Sequence, residues 1–245
     1  MPKKPHIVIF NPDSWRGDVV GHAGNAAAVT PNLDAMAATD SVSFTRTFSQ
    51  NPVCTPSRCS FMTGWYPHVR GHRTMLHMLQ PDEPNLLRQL KDLGYYVWWG
   101  GKNDLLAVKE RDDYLDSCHV KYQSERGPTD LRMPATLPPD DPRFYAFHAG
   151  TLSPDNEGGQ YHDPDGKNVA GAVDLIRNPP DDQPMCIYLP LGAPHPPYLG
   201  RQEFVDQIDR TKLPPRVPPA ANPDDAPLIM KQLRDIAGSD AVDEA

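Results

Sequence analysis

The sequence predicts an α/β protein in which a mostly parallel central sheet is flanked by helices. Short apolar runs that suit buried strands alternate along the chain with amphipathic runs that suit helices. Polar or glycine-containing turns follow the apolar runs, as is typical where a buried strand ends. The length of 245 residues, of which 38% are hydrophobic, is enough for one sizeable core.

The first half of the chain carries the clearest elements. Residues 7–10 form an apolar run that ends in a polar turn, which predicts a buried strand. Thr30 followed by Pro31 predicts a helix start, because proline suits the first helical position. Residues 41–48 alternate in polarity and predict a strand.

The next elements complete a strand–helix alternation. Residues 83–94 predict an amphipathic helix that ends at Gly94. Its apolar face would consist of four leucines, Leu86, Leu87, Leu90 and Leu93. Residues 95–99 predict a strand. Later in the chain we expect loops at 127–144 and 179–184, helices at 168–177 and 226–236, and a strand at 185–189.

Charge and composition exclude several classes of function. The net charge of −8, without a block of lysine and arginine, argues against nucleic-acid partners and an anionic membrane surface. No apolar run approaches the roughly 20 residues needed to span a bilayer. The apolar run behind the basic start is too short for a signal peptide, which predicts a cytoplasmic protein. The four scattered cysteines predict neither a zinc site nor a disulfide scaffold.

The predicted strand ends locate the chemistry. In parallel sheets, ligands bind beyond the carboxyl ends of the strands. Asp13, Lys102 and the segment after Leu189 all follow predicted strands. We therefore expect these three regions to meet at one edge of the sheet.

The segment from Cys54 to Gly64 combines a nucleophile with features that bind anions. Pro56 and Ser57 can start a helix, which places Cys54 just before a helix N-terminus that favours an anion. Arg58 lies one turn further and can neutralise an oxyanion through two hydrogen bonds. This combination suits the transfer of a tetrahedral anionic group, although a buried cysteine at a loop–helix junction fits the same residues.

The pattern Cys54-x-Pro56-x-Arg58, continuing to Thr63-Gly64, resembles the signature of type I sulfatases in the alkaline phosphatase superfamily. Other segments resemble the same family in the expected order, namely residues 6–13, 30–34, 101–102 and 194–198. The resemblance covers residues 5–105 closely and residues 185–200 more loosely. It implies an alkaline-phosphatase-like fold and the hydrolysis of a small-molecule sulfate ester.

The resemblance also implies how the site would work. A formylglycine-generating enzyme would convert Cys54 into Cα-formylglycine, whose hydrate supplies the nucleophilic hydroxyl. Asp13, Ser14 and residue 54 would hold a divalent cation, which is calcium in most of the family, with magnesium or manganese as alternatives. Arg58, Lys102 and His195 would complete the catalytic set.

Three departures from the family pattern leave alternatives open. Ser14 stands where the family usually has an aspartate or glutamine ligand, and Asp104 stands where it usually has a histidine. The late metal ligands and the second lysine of the family are not found in the sequence. Residues 1–212 are therefore predicted to be the amino-terminal part of a catalytic domain truncated at its C-terminal side.

Residues 213–245 are predicted to be a proline-rich and acidic tail that is loosely ordered or depends on a partner. An uncovered sheet edge would favour a homo-oligomer or a complementing chain. The alternatives are a phosphonate monoester or phosphodiester hydrolase of the same superfamily, and an inactive fragment that acts as a binding or structural subunit.

Overall fold

A computed structural model describes residues 4–123, 149–152, 163–180, 182–195, 198–215 and 226–237. The chain divides into two compact units. The first unit comprises residues 1–15, 46–128 and 162–195, and the second comprises residues 16–45, 129–161 and 196–245. The predicted loop at 127–144 lies outside the described residues.

Strands and helices alternate along the described chain. The strands are β1 (Ile7–Asn11), β2 (Tyr96–Gly100), β3 (Val120–Tyr122), β4 (Ala149–Leu152), β5 (Met185–Pro190) and β6 (Tyr198–Arg201). The helices are α1 (Pro31–Ala38), α2 (Cys54–Thr63), α3 (Leu86–Asp92), α4 (Pro164–Arg177), α5 (Gln202–Val205) and α6 (Leu228–Ala237). Short 3₁₀ turns span Gly21–Ala23, Arg111–Tyr114 and Arg210–Lys212.

The first unit is built on a four-stranded sheet in the order β1-β5-β2-β3, and every pairing in it is parallel. Ile7 lies opposite Cys186, and Val97 lies opposite the same residue from the other side. The second unit contains a parallel pair of β4 and β6. The predicted α/β class with a mostly parallel sheet is confirmed.

Alternate residues of the central strands enter two cores on opposite faces of the four-stranded sheet. Val97 and Trp99 point to a core that includes Leu87 and Leu90 of α3 and Cys59 of α2. Trp98, Ile187 and Leu189 point to a second core, which includes Ala172 of α4. Burial on both faces explains why β2 and β5 read as continuous apolar runs rather than as an alternating pattern.

Most predicted elements of the first unit are present, with shifted bounds. The strand predicted at 95–99 and the helix predicted at 83–94 are β2 and α3. The prediction that Leu93 belongs to the apolar face of this helix is wrong, because α3 ends at Asp92 and the Leu93 side chain is exposed. The helix predicted at 168–177 begins earlier, at Pro164, where the Asp163 side chain accepts a hydrogen bond from the Gly166 amide. An aspartate followed by a proline favours the start of a helix, and the spacing of the apolar residues does not reveal it.

The strand predicted at 41–48 is wrong. These residues form no strand, and Val42, Phe44 and Phe48 are each more than 70% exposed. Alternating polarity stabilises a strand only when a neighbouring strand accepts its backbone hydrogen bonds and a core takes its apolar side chains. Among the described strands and α-helices, four are absent from the sequence prediction altogether, the short strands β3, β4 and β6 and the short helix α5. No helix within the described residues has the length and apolarity to cross a membrane.

Candidate active site

Three parallel strands bring the predicted site residues to one edge of the sheet. β1 ends at Asn11 and leads into Asp13, and β2 ends at Gly100 and leads into Lys102. β5 lies between them and leads into the turn that carries His195. The expectation that these three regions meet at the carboxyl ends of the strands is confirmed.

The turn after β2 requires a glycine. Gly101 has a φ of +103°, and a Cβ atom there would lie 2.5 Å from the carbonyl oxygen of Pro190. The backbone can therefore pass close to β5, where the Lys102 amide donates a hydrogen bond to the same carbonyl at 2.9 Å. The Lys121 ammonium donates a hydrogen bond to the Gly101 carbonyl. These contacts fix the point from which the Lys102 side chain reaches the site.

Helix α2 begins at Cys54, which places this residue in the first turn rather than just before the helix. Val53 precedes it in an extended conformation, and the helix ends at Gly64 in the left-handed region. The Cys54 Sγ atom lies 3.1 Å and 3.3 Å from the two carboxylate oxygens of Asp13. The helix start therefore directs the cysteine at the carboxylate that follows β1.

Asp13 is the centre of the polar network. Its side chain is 5% exposed, and one of its oxygens accepts a hydrogen bond from the Lys102 ammonium. The Arg58 guanidinium lies 3.6 Å from the same oxygen. Ser14, whose φ of +61° lies in the left-handed region, donates to the other oxygen at 3.3 Å. A buried carboxylate is thus compensated by two cations and further donors.

Arg58 and Asp104 form a second layer of the network. Arg58 is 3% exposed and donates through Nη1 to the Asn11 side-chain oxygen and, at 3.3 Å, to the Tyr188 hydroxyl. The Asp104 carboxylate lies 2.8 Å from Lys102 Nζ and 3.7 Å from Arg58 Nε. The carboxylate that departs from the family pattern is therefore paired with both cations of the site.

These contacts set the ionisation of the site. Burial alone would raise the pKa of Asp13, but the hydrogen bonds from Lys102 and Cys54 and the nearby positive charges bring that pKa below its usual value. Burial would lower the pKa of Lys102, but its contacts with Asp104 and Asp13 raise it. Burial and the Asp13 carboxylate raise the pKa of the Cys54 thiol. At neutral pH the carboxylate and the ammonium are charged and the thiol is neutral.

Helix α4 anchors the turn that carries His195. The two carboxylate oxygens of Asp165 accept hydrogen bonds from the Gly192 amide at 2.9 Å and the Ala193 amide at 2.7 Å. The Ala193 carbonyl in turn accepts from the Asp13 amide at 3.2 Å, and the His195 amide donates to the Gly192 carbonyl at 2.9 Å. One side chain of α4 therefore holds the turn against the residue at the centre of the site.

The residues that could hold a cation converge at the same place. Asp13, Cys54 and His195 each offer one ligand atom, and these atoms all lie within 4.8 Å of one another. A cleft of about 210 Å³ opens beside them, lined by Asp13, Ser14, Cys54 and Arg58 among others. A cavity of this size is sufficient for a small tetrahedral anion.

The structure brings together all six predicted site residues and adds residues that the sequence analysis missed. Asn11 and Tyr188 contact Arg58, and Asp165 holds the His195 turn. Asn11 carried a usable signal, because it is the last residue of a strand that leads into the site. Tyr188 and Asp165 carried none, since their roles depend on which strand and helix lie next to each other.

The fold and this edge of the sheet define an α/β protein with a polar site at the carboxyl ends of its parallel strands. The chain belongs to the sulfatase family, whose family model matches residues 5–215. An ulvan-active sulfatase from Formosa agariphila is 41% identical over 101 residues, which are 41% of this chain and 20% of that protein. A choline-sulfatase from Rhizobium meliloti is 25% identical over 214 residues, which are 83% of this chain and 41% of that protein.

Solved structures share the fold at low sequence identity. The phosphonate monoester hydrolase of Agrobacterium radiobacter superposes with a TM-score of 0.62 at 19% identity, covering 89% of this chain and 46% of that one. BT4656 in complex with its substrate D-glucosamine-2-N,6-O-disulfate superposes with a TM-score of 0.57 at 18% identity. The superposition covers 79% of this chain and 35% of that one. The chain spans less than half the length of these relatives.

Proposed function

We propose that this protein is a sulfuric ester hydrolase whose nucleophile derives from Cys54. The observation that carries the proposal is the 3.1 Å contact between Cys54 and the buried Asp13, with Arg58 and Lys102 against the same carboxylate. Transfer of a sulfate group requires a nucleophile and positive groups that neutralise the sulfate oxygens, and here these are residue 54, a guanidinium and an ammonium. Membership of the sulfatase family supports the same reaction.

The ionisation of Cys54 supports its conversion to formylglycine. A cysteine attacks as the thiolate, and both burial and the Asp13 charge raise the pKa of this thiol. The unmodified side chain would therefore be a weak nucleophile at neutral pH. Conversion is a two-electron oxidation, in which an external oxidant such as molecular oxygen supplies the aldehyde oxygen and the sulfur leaves as hydrogen sulfide. Water then adds to the aldehyde to give two geminal hydroxyl groups. We propose that a formylglycine-generating enzyme carries out this conversion.

The donor set fits a divalent cation. Asp13 supplies an ionised carboxylate and Ser14 a hydroxyl, and the modified residue 54 would supply an oxygen in place of sulfur. Oxygen donors suit hard cations, so we propose calcium, with magnesium and manganese as alternatives. When bound, the cation would supply positive charge to the sulfate oxygens and to the attacking hydroxyl.

The residues of the chain then have distinct tasks. One hydroxyl of residue 54 would release its proton to water and attack sulfur, the bond from sulfur to the ester oxygen would break, and His195 would supply a proton to the departing alcohol oxygen. The second hydroxyl would then pass its proton to His195, the bond between residue 54 and the sulfate oxygen would break with release of sulfate, and the aldehyde would re-form. Water restores the hydrate. Lys102 and Arg58 neutralise the sulfate oxygens throughout.

The proposal is tested on one preparation by two measurements. Peptide mass spectrometry with an aldehyde-reactive hydrazide would locate formylglycine at residue 54, and turnover of 4-nitrophenyl sulfate would be followed with and without added calcium. Cys54→Ala is the matched control, since it removes both aldehyde and nucleophile. We expect labelling and turnover in the parent protein and neither in the control. Labelling without turnover in the presence of calcium, magnesium or manganese would favour the inactive binding subunit.

Asp104 favours a second candidate, the hydrolysis of phosphonate monoesters or phosphodiesters. Its carboxylate replaces the family histidine and neutralises part of the charge of Lys102, from which it lies 2.8 Å. Retention of Lys102 favours sulfate, so sulfate esters remain the first proposal. Side-by-side turnover of an aryl sulfate and an aryl phosphonate separates the two, and Asp104→His is expected to shift the ratio towards sulfate.

The cellular setting is also a proposal. All four cysteines are free thiols, which supports a cytoplasmic location. Val8 and Phe10 of the edge strand β1 are more than half exposed, which supports association with a second copy or a complementing chain. Cell fractionation tests the location, and sedimentation velocity of the purified chain tests association.

A further inference from the structure

Lys121 of β3 is a partly buried cation that the proposed mechanism does not use. Among the described residues, no carboxylate oxygen lies within 4.0 Å of its ammonium, so no ion pair there offsets the cost of removing the charge from water. Other contacts must therefore hold this charge in place. Those contacts lead from β3 to the turn that follows β2.

Two backbone carbonyls and two aromatic rings surround the ammonium. It donates a hydrogen bond to the Gly101 carbonyl and a longer one, of 3.4 Å, to the Tyr122 carbonyl. Its nitrogen lies 5.3 Å from the centroid of the Trp99 ring and 5.5 Å from that of the Tyr114 ring. Both distances are in the range at which an aromatic ring attracts a cation. A charged group fits this position better than a neutral amine, because both kinds of contact strengthen with charge.

The same contacts hold the backbone on both sides of Lys102. Lys121 binds the Gly101 carbonyl, which belongs to the peptide group just before Lys102. The Trp99 indole nitrogen donates to the Lys102 carbonyl at 3.0 Å, which belongs to the peptide group just after it. The ring that attracts the Lys121 charge is therefore also the ring that binds the Lys102 backbone.

The position of this backbone determines where the Lys102 ammonium can lie. A lysine side chain is a flexible four-carbon stem, so its charged end has no fixed place unless its base is held. From the turn after β2, the Lys102 ammonium contacts the carboxylates of Asp13 and Asp104. A displacement of about 1 Å in a group that acts on substrate can lower a rate about a hundredfold, even when its cause lies far from the chemistry.

We propose that Lys121 is a positioning residue, whose charged ammonium holds the turn before Lys102 so that Lys102 can face the sulfate group. The inference rests on the proposed function for the task of Lys102, whereas the contact between Lys121 and the turn is independent of any reaction. Lys121 acts through the backbone and does not itself touch the substrate.

This support should weaken at alkaline pH. Burial lowers the pKa of Lys121 to about 8. Cys118 and Tyr114 face it, and burial raises the pKa of both, that of Cys118 to about 11, so both are neutral at pH 8. Lys91 donates to the Cys118 carbonyl at 3.4 Å, and Asp113, in the turn that carries Tyr114, accepts from two backbone amides. Above pH 8 the Lys121 amine becomes neutral, and the attraction of both rings is lost.

Amide hydrogen exchange at Lys102 tests the proposal without requiring turnover. Lys121→Met keeps the length of the side chain and removes its charge, and Lys121→Arg keeps the charge. Lys91→Met is the matched control, because Lys91 also donates to two backbone carbonyls, but outside this turn. The Lys102 amide donates to the Pro190 carbonyl. At pH 7 we expect it to exchange at least about tenfold faster in Lys121→Met and at the parent rate in the other two variants.

A second comparison does not need Lys121→Met to fold. At pH 9 the Lys102 amide should exchange faster in the parent protein than in Lys121→Arg, whose guanidinium stays charged. Equal rates for these two proteins at pH 9, or for Lys121→Met and the parent at pH 7, would overturn the positioning role. An equal acceleration in Lys91→Met would also overturn it, since any loosening of the fold would then have the same effect.

Turnover of 4-nitrophenyl sulfate gives the functional readout. We expect kcat/KM to fall about tenfold or more in Lys121→Met and to recover in Lys121→Arg, which should also stay active to higher pH than the parent. Faster exchange with unchanged turnover would overturn the positioning role. The expected exchange rates without turnover by any of the proteins would instead overturn the hydrolase and leave the contact between Lys121 and the turn standing.

Discussion

Replacing Arg58 by methionine removes the cation between two buried carboxylates. Arg58 lies 3.6 Å from Asp13 and 3.7 Å from Asp104, and all three side chains are less than 9% exposed. At an effective dielectric constant of about 20, each contact corresponds to about 4 to 5 kcal/mol of Coulomb attraction, most of which offsets the cost of burial. Removing one partner of a buried pair costs about 3 to 5 kcal/mol.

We expect Arg58→Met to lower the free energy of unfolding by about 3 kcal/mol at pH 7, the lower end of that range, because Lys102 continues to contact both carboxylates. Urea unfolding followed by tryptophan fluorescence measures the loss, with Trp98 and Trp99 as buried reporters. Arg16→Met is the control. The pair of Arg16 with Asp18 has a shorter contact of 2.5 Å but is exposed, so its removal should leave stability unchanged.

The loss of unfolding free energy caused by Arg58→Met should become smaller as the pH falls. The pKa of Asp13 is lowered in the folded protein, so its ionised form stabilises the fold above the unfolded pKa of about 4, and this contribution is lost as pH falls through the folded value. Without Arg58 that pKa rises. The stability difference between variant and parent should therefore shrink below about pH 4. A difference under about 1 kcal/mol at pH 7, or one that does not change with pH, would refute the reasoning.

Three further perturbations follow from the same geometry. Lys102→Met should raise the pKa of Asp13, measured by carboxyl NMR titration, and an unchanged titration would contradict the network. Asp165→Asn should speed hydrogen exchange at the Ala193 amide, whereas Asp174→Asn on the same helix should not. Gly101→Ala should cost about 2 to 3 kcal/mol in urea unfolding because of its φ and the nearby carbonyl, and Gly17→Ala, which meets open space, should cost less.

The sequence predicted correctly those features that depend on residues close together in the chain. The signature around Cys54 and Arg58, the polar turn that carries Asp13 and the glycine before Lys102 all lie within a few residues of a strand or helix end. The parallel-sheet rule then predicted that these ends meet, and the strand order β1-β5-β2 places them side by side. The failures, such as the strand at 41–48, arose where a local pattern needed a partner that the fold does not provide.

The ionisation of the site could not be predicted from the sequence. From the sequence, Asp104 would repel a sulfate unless it is protonated or paired with Lys102, and only the structure shows that Lys102 and Arg58 both contact it. The raised pKa of Cys54 likewise depends on the distance to Asp13, which lies 41 residues away in the chain. Such effects follow from distances and burial, which have no counterpart in spacing along the chain.

The sequence by itself determined the parallel α/β fold, the family and the set of side chains predicted to form the site, because strand periodicity, turn residues and the signature are all short-range patterns. Only the tertiary structure decided which carboxylate pairs with which cation, how Asp165 holds the His195 turn and how Lys121 contacts the Gly101 carbonyl. These features arise between residues that are distant in the chain, and contact energies depend on separation and solvent exposure in space.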